Sequence, residues 1–445
     1  MKSNKSIIPD LIAGLTVSFA ALSLGAAFGV MSGRGAFAGM LSAAIIPIVT
    51  SLLGGTRLQA SGPTAPMTAI TALLVASAYD QFGEPQLANQ FITLVLFMAS
   101  VFIFCTGLFR LGRFIKWVPQ VVVLGFMNGI GILIWVDQIK KIAGLGGQSI
   151  MDGNVMINLG VALSTLLMIY FIPFLLRKLK VPIGVRRFVP AIFITIIIAT
   201  VFTSVFSLDI QHVSLGKKYD SIGSFIEILV SFFPSHPSIF TQEMILKAIP
   251  LALQLCLLAY LDSLLTSLVI DKMTQEKTKP DKELLAQGLA NGIAALLQGI
   301  PGAQATIRSV LLIKEGAQTR MAGVFVGIFA LLGFLVFSNL ITLIASAVFT
   351  GVLFKAGLDV MDRDFPITFF KNGWMNNRTR LIQFFIIIYT SFITVVIDLN
   401  VAVITGTIIY YIGKKYLGFV DVEDNFAQVN ANELEGQSIN GKDQY

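Results

Sequence analysis

Charge is what this sequence has least of. Only 13% of its 445 residues are Asp, Glu, Lys or Arg, whereas 55% are hydrophobic. Soluble domains carry about 25% charge, so a soluble fold of this size would leave too much apolar surface in water. Histidine is nearly absent, with His212 and His236 the two copies. Both fall in one polar loop, where solvated side chains are expected rather than a metal site. Cysteine is equally scarce. Cys105 and Cys256 sit far apart inside apolar runs and read as buried thiols, not a disulfide. The apolar runs hold no histidine, no paired carboxylates and no nucleophile–base set, which argues against an enzyme and against a resident cofactor. No cleavable signal is expected either, because Met1 to Asp10 is short and polar and the apolar run behind it is too long for a signal core.

What the chain does have is long apolar runs. A helix needs about 20 apolar residues to cross a bilayer. Candidate segments are 11–31, 36–53, 88–109, 118–136, 155–176, 188–206, 249–270, 321–338, 340–354, 381–397 and 399–413, with 284–300 a weaker one. Two shorter segments, 63–79 and 303–315, begin close to glycine and proline. The expectation is an all-α polytopic membrane protein with fourteen segments, seven on each side of a polar loop at 207–243. The first half then runs over 8–206 and the second over 244–420. The loop contains Phe225, Ile226, Ile228, Leu229, Phe232 and Phe233, enough for a short helix lying on the outer membrane surface. The acidic tail, 421–445, reads as disordered and is too short for a soluble domain.

The formal net charge is +7, but its placement does not point to nucleic acid. With the N-terminus in the cytoplasm and the segments alternating, 25 of the 32 lysines and arginines fall on the inner side. That is the bias of a membrane protein with both termini inside. An odd number of segments in the first half inverts the second half relative to it. The third segment of each half is the unusual one. Gly54-Gly55-Thr56-Arg57-Leu58-Gln59-Ala60-Ser61-Gly62-Pro63 leads into one, and Gly299-Ile300-Pro301-Gly302 precedes the other. Interrupted segments at matching places in two halves point to a transporter's binding site.

Polar groups inside such segments are costly, so each needs a reason. Asp262 lies mid-segment, and Thr266 shares its helix face four residues on. A carboxylate, a hydroxyl and nearby carbonyls suit Na⁺; the carboxylate alone could take a proton, or could pair with a neighbouring cation. Arg308 falls in the first turns of the second short helix. A helix N-terminus offers unpaired N–H groups and partial positive charge to an anion, and a guanidinium adds a full charge. Thr64, Ala65 and Thr68 begin the first short helix and would present a second set of donors from the opposite side. Two such N-termini face to face make a compact anion pocket. Arg308 could equally serve to neutralise Asp262. Leu24 and Phe28 share a face of the first segment and would cap the pocket or pack against lipid or a helix. Gly125, Asn128, Gly129 and Gly131 read as a close helix contact.

Four runs resemble the SulP family of anion transporters: Ala21 to Gly33, Gly62-Pro-Thr-Ala-Pro-Met-Thr68, Asp262-Ser-Leu-Leu-Thr-Ser, and Gly299-Ile-Pro-Gly-Ala-Gln-Ala-Thr306. The resemblance covers roughly residues 8–420. It implies two inverted seven-segment repeats, with the short third and tenth helices each preceded by an extended stretch. Segments one to four and eight to eleven would form a core that moves like an elevator against a gate made of the others. Around Asp262 the chain is most similar to the sodium-dependent bacterial bicarbonate transporters. By that likeness Asp262, Thr266 and the backbone at Gln304 would bind Na⁺, and Thr64, Ala65, Ala305 and Thr306 the anion. Gln304 stands where those members have a glycine-like position, and Arg308 where they have a small residue. An arginine there is similar to the sulfate, chloride and motor-protein branches. The cytoplasmic STAS domain common in the family is not expected in so short a tail. Family members are often dimers, so a homodimer in the bacterial inner membrane is the implied assembly. Bicarbonate, sulfate and small dicarboxylates need similar donors, and the residues leave open Na⁺ coupling, H⁺ coupling, exchange and, on the same scaffold, a channel.

Overall fold

The computed structural model describes residues 7–145, 153–179, 191–206, 208, 210–212, 241–341, 343–361, 378–397 and 399–417. The expected surface helix around Phe225–Phe233, His236 and the tail after 420 lie outside the described residues. In chain order the elements are α1 (Ile8–Met31), α2 (Ala36–Leu53), β1 (Ser61–Gly62), α3 (Ala65–Phe82), α4 (Pro85–Leu108), a 3₁₀ turn (Leu111–Trp117), α5 (Gln120–Ala143), α6 (Val155–Lys178), α7 (Ala191–Val205) and α8 (Gln242–Thr274). They continue with α9 (Pro280–Leu296), β2 (Ala303–Gln304), α10 (Thr306–Lys314), α11 (Met321–Ile341), α12 (Ser346–Val360), α13 (Arg378–Val396) and α14 (Leu399–Leu417). Among the described residues, α1, α2, α4, α5, α6 and the stretch Gln242–Asp271 of α8 are long and apolar enough to cross a membrane.

Local chemistry marks the helix boundaries. Proline stands in the first turn of α1, α3, α4 and α9, where its missing N–H has no intrahelical partner to lose. Gly83 ends α3 and Gly316 follows α10, both at positive φ. Of the two helices expected to be short, only α10 is, with nine residues; α3 has 18, as many as α2. Cys105 and Cys256 are free thiols, as expected, but only Cys256 is buried; Cys105 is half-buried. His212 is exposed and forms an isolated backbone bridge to Ala345.

The chain forms two compact units. The first holds Met1–Ile115, Ile130–Asp271 and Glu276–Val360, so it draws on both halves of the sequence. Within it α9 packs along α4, α11 lies against both α1 and α2, and α12 packs on α6. Small residues let these backbones approach. A Cβ on Gly39 of α2 would lie 1.9 Å from Gly25 O and 2.7 Å from Gly29 N on α1. Gly39→Val is therefore expected to destabilise the fold by about 3 kcal/mol or more, because the crossing helices must part. Thermal melting of the detergent-purified variant checks this, and an unchanged Tm would remove the crossing from the fold's foundations. The second unit holds Lys116–Gly129, Lys272–Gln275 and Met361–Tyr445. There Gly125 and Gly129 of α5 receive α13, as the sequence leads one to expect: a Cβ on them would meet Thr390 Cβ at 2.7 Å and Thr394 Cβ at 2.5 Å. Gly131 lies in the first unit, where its carbonyl is approached by Gly357.

Candidate anion site at the strand crossover

Two extended stretches separated by some 240 residues of sequence meet inside the first unit. β1 pairs antiparallel with β2, with Ser61 opposite Gln304 and Gly62 opposite Ala303. All four residues are buried. Pairing satisfies backbone groups that would otherwise be orphaned in an apolar interior. Its antiparallel sense also has a consequence for the helices that follow. The chain leaves β1 into α3 and leaves β2 into α10 in opposite directions, so both helix N-termini face the crossover.

Neither N-terminus is capped by a side chain. Thr64 is the N-cap of α3 and Ala305 the N-cap of α10, and neither makes a side-chain capping bond. First-turn N–H groups lack intrahelical partners, and the macrodipole adds partial positive charge at the same place. In α3 the donors available are those of Ala65 and Met67, since Pro66 has none. The Thr68 hydroxyl is fully buried and donates to Thr64 O at 2.7 Å, so its proton is already committed. In α10 the corresponding groups belong to Thr306, Ile307 and Arg308, ahead of the first helical bond, Ser309 N to Ala305 O at 2.9 Å.

Arg308 reaches across the crossover. It is 2% exposed, its Nη2 donates to Pro63 O at 2.9 Å, and its Nη1 makes no hydrogen bond to the described protein groups. The guanidinium lies over Gly62, where a Cβ would fall 2.8 Å from Nη1. Gly62 has φ +147, a second reason for glycine there. Asp262 is half-buried with Thr64 and Arg308 beside its carboxylate; its Oδ2 and the Thr64 Oγ1 make no hydrogen bond to the described residues. Thr266, one turn further along α8, shares a 2.6 Å hydrogen bond with Thr306. The residues Thr64, Asp262, Thr266, Thr306 and Arg308 are therefore brought together. Phe28 is buried and Leu24 half-buried on α1, with no polar contact to assign them.

Gln304 is held from α8. Its N–H donates to Ser263 Oγ at 3.3 Å, and Ser267 Oγ donates to its Oε1 at 2.7 Å. Ser263 and Ser267 were not legible as site residues, although their spacing of four in an apolar helix was available as a signal. Also unforeseen is the clamp on the loop before β1. Glu283 of α9, fully buried, accepts from Gly55 N at 2.8 Å, Thr56 N at 2.9 Å and Gln59 Nε2 at 3.0 Å. Arg320 takes the opposite polarity of the same loop, donating to Gly54 O at 2.8 Å and Thr56 O at 3.2 Å. A carboxylate on its amides and a guanidinium on its carbonyls fix this loop from two sides.

A helical membrane fold in which two uncapped helix N-termini, a buried guanidinium and a carboxylate converge defines a membrane transport protein. Comparison with known proteins makes this specific. The sulfate permease family matches residues 7–390. The bicarbonate transporter BicA of Picosynechococcus sp. is 31% identical over 421 residues, covering 91% of this chain and 69% of that one. Sulfate transporter 1.2 of Arabidopsis thaliana is 24% identical over 395 residues, covering 86% of this chain and 59% of that one. The structure of the transmembrane domain of a cyanobacterial BicA superposes with a TM-score of 0.73 at 27% identity, covering 90% of this chain and 98% of that one. The chain belongs to the sulfate permease (SulP) family.

Proposed function

We propose that this protein is a secondary active transporter of a small inorganic anion, bicarbonate or sulfate. The observation that carries this reading is the pair of uncapped N-termini, those of α3 and α10, brought together by β1 and β2. The anion would sit on the N–H groups of Ala65, Thr306 and their neighbours, with Arg308 supplying a positive charge against that of Asp262 and Thr64 and Thr306 supplying hydroxyls. Names of relatives include both bicarbonate and sulfate transporters, and the donor set suits either anion.

The same reading extends to the arrangement of the chain. Fourteen membrane segments, α1 to α14, would form two inverted repeats of seven. Supporting this, the third and tenth helices are each preceded by a two-residue strand. The packing of α4 on α9 is also mirrored by that of α11 on α2. A core of α1–α4 and α8–α11 would carry the anion past the remaining helices in an elevator-like movement, with both termini in the cytoplasm of a bacterial cell and a homodimer as the assembly.

Na⁺ symport is the preferred coupling. Asp262, Thr266 and the backbone at Gln304 would form the cation site, with Thr306 linking it to the anion site through its bond to Thr266. One observation favours a second reading, H⁺-coupled transport or exchange. Arg308 stands near Asp262 without a hydrogen bond to its Oδ2, and supplies a fixed positive charge that a Na⁺ ion would otherwise bring. Uptake of labelled bicarbonate and sulfate into proteoliposomes, with and without an inward Na⁺ gradient, separates the two. Saturable bicarbonate uptake that requires Na⁺ supports symport, and Na⁺-independent sulfate uptake or exchange supports the second reading. A current that never saturates and ignores counter-ions would sink both.

A further inference from the structure

One face of α9 holds both strands of the crossover. Glu283, Gln287 and Asn291 are spaced by four and so line a single stripe of the helix. None is more than 2% exposed. Glu283 holds the loop that leads into β1 through the bonds described above. Gln287 donates Nε2 to Ser61 Oγ, on β1, at 2.8 Å, and to Glu283 Oε1 at 2.9 Å. Asn291 accepts from Gly302 N at 2.7 Å and donates to Gly302 O at 2.9 Å, directly before β2. The stripe spans about 12 Å along the helix, and each rung grips a different part of the crossover.

A second face of α9, about a third of a turn round from the stripe, is fixed as well. A Cβ on Gly288 would lie 2.6 Å from Phe104 N, and one on Gly292 would lie 3.1 Å from Ser100 Oγ, both on α4. The helix is thus a rigid ruler between α4 and the strands. Packing alone would be served by apolar residues, which carry no desolvation cost in this setting. Three bonded polar groups in register do something that apolar packing cannot: they fix the position of β1 and β2 along the helix axis.

We propose that Glu283, Gln287 and Asn291 are positioning residues that set the gap between the N-termini of α3 and α10, and with it the size of anion the site accepts. This rests on the anion-transport reading above. Bicarbonate is a small planar monoanion, whereas sulfate is a larger tetrahedral dianion, so a fixed gap discriminates between them. The strands can be loosened from two sides. Asn291→Ala releases both polar groups of Gly302. Gly302→Ala drives a Cβ to 2.3 Å from Gly62 C and O, wedging the strands apart without touching α9.

The test is saturation kinetics of bicarbonate and sulfate uptake for wild type, Asn291→Ala, Asn291→Asp and Gly302→Ala in proteoliposomes. The expected result is a change of about fivefold or more in the ratio of the two KM values, in the same direction for Asn291→Ala and Gly302→Ala. Vmax per folded protein is expected to stay within about twofold, and Asn291→Asp, which keeps the acceptor for Gly302 N–H, is expected to shift the ratio less. An unchanged ratio, or a loss confined to Vmax, overturns the proposal. If Asn291→Ala fails to fold, Gly302→Ala and Asn291→Asp decide it by the same criteria. A wild-type protein that takes up neither anion overturns the transport reading and this inference together. Wild-type uptake with unchanged ratios in the variants overturns the positioning role alone.

Discussion

Arg308→Ala is expected to weaken anion binding by about 10- to 100-fold, the loss that goes with removing a charged hydrogen-bond donor from a buried site. Two effects act together. The variant removes the only buried guanidinium on α10, whose Nη1 is uncommitted among the described residues. It also leaves the Asp262 carboxylate without its positive neighbour, so the site's charge turns from balanced to negative, and an incoming anion meets repulsion in a low-dielectric setting. Arg308→Lys separates the two effects, because it restores charge but not the forked geometry that spans from α10 to Pro63 O. Binding of the lysine variant should therefore fall between wild type and alanine. Titration of the purified protein with bicarbonate and with sulfate reads this directly. Asp262→Asn should weaken anion binding less than Arg308→Ala does. Equal anion affinity in wild type and Arg308→Ala would place the guanidinium outside the pocket and reduce it to a structural counter-charge.

These residues show which physics is written in a linear sequence. Long apolar runs declare themselves one by one, and the described helices overlap those runs, although α12 begins at Ser346 rather than at 340 and α9 ends at Leu296 rather than at 300. The places where α3 and α10 begin were legible because glycine and proline punctuate apolar sequence there, although α3 runs longer than expected. Asp262 and Arg308 stood out because a charge in an apolar run has no cheap explanation. What could not be read was pairing at long range. Nothing in Gly54 to Gln59 says that Glu283 accepts from its amides while Arg320 donates to its carbonyls. Segment 284–300 is the weaker candidate span, and it contains Gln287 and Asn291, whose side chains hold Ser61 of β1 and Gly302 before β2. Local bonding at Thr68 was equally out of reach: its N–H and its hydroxyl both donate to Thr64 O, one turn back.

Asp262→Asn is expected to abolish gradient-driven accumulation while leaving a functional anion site. On the coupled reading, the carboxylate binds the ion whose gradient drives transport. An inward tenfold Na⁺ gradient stores about 1.4 kcal/mol per ion, so a one-to-one symporter can raise internal anion about tenfold over external. The asparagine variant keeps the shape of the side chain and a carbonyl oxygen but loses the charge that makes a Na⁺ site or a proton acceptor. Its accumulation ratio is expected to fall to about one, with labelled anion still entering down its own gradient, because binding coupling vanishes when one ligand's site is lost. The same variant discriminates the two coupling ions. If wild-type accumulation follows Na⁺, the variant should lose its Na⁺ dependence; if it follows a pH gradient, the variant should lose that instead. Thr266→Ala sharpens the distinction, since a hydroxyl ligand matters to Na⁺ but a carboxylate can carry a proton without it. An Asp262→Asn protein that still accumulates anion about tenfold would mean that the coupling ion binds elsewhere and that Asp262 serves only to balance Arg308.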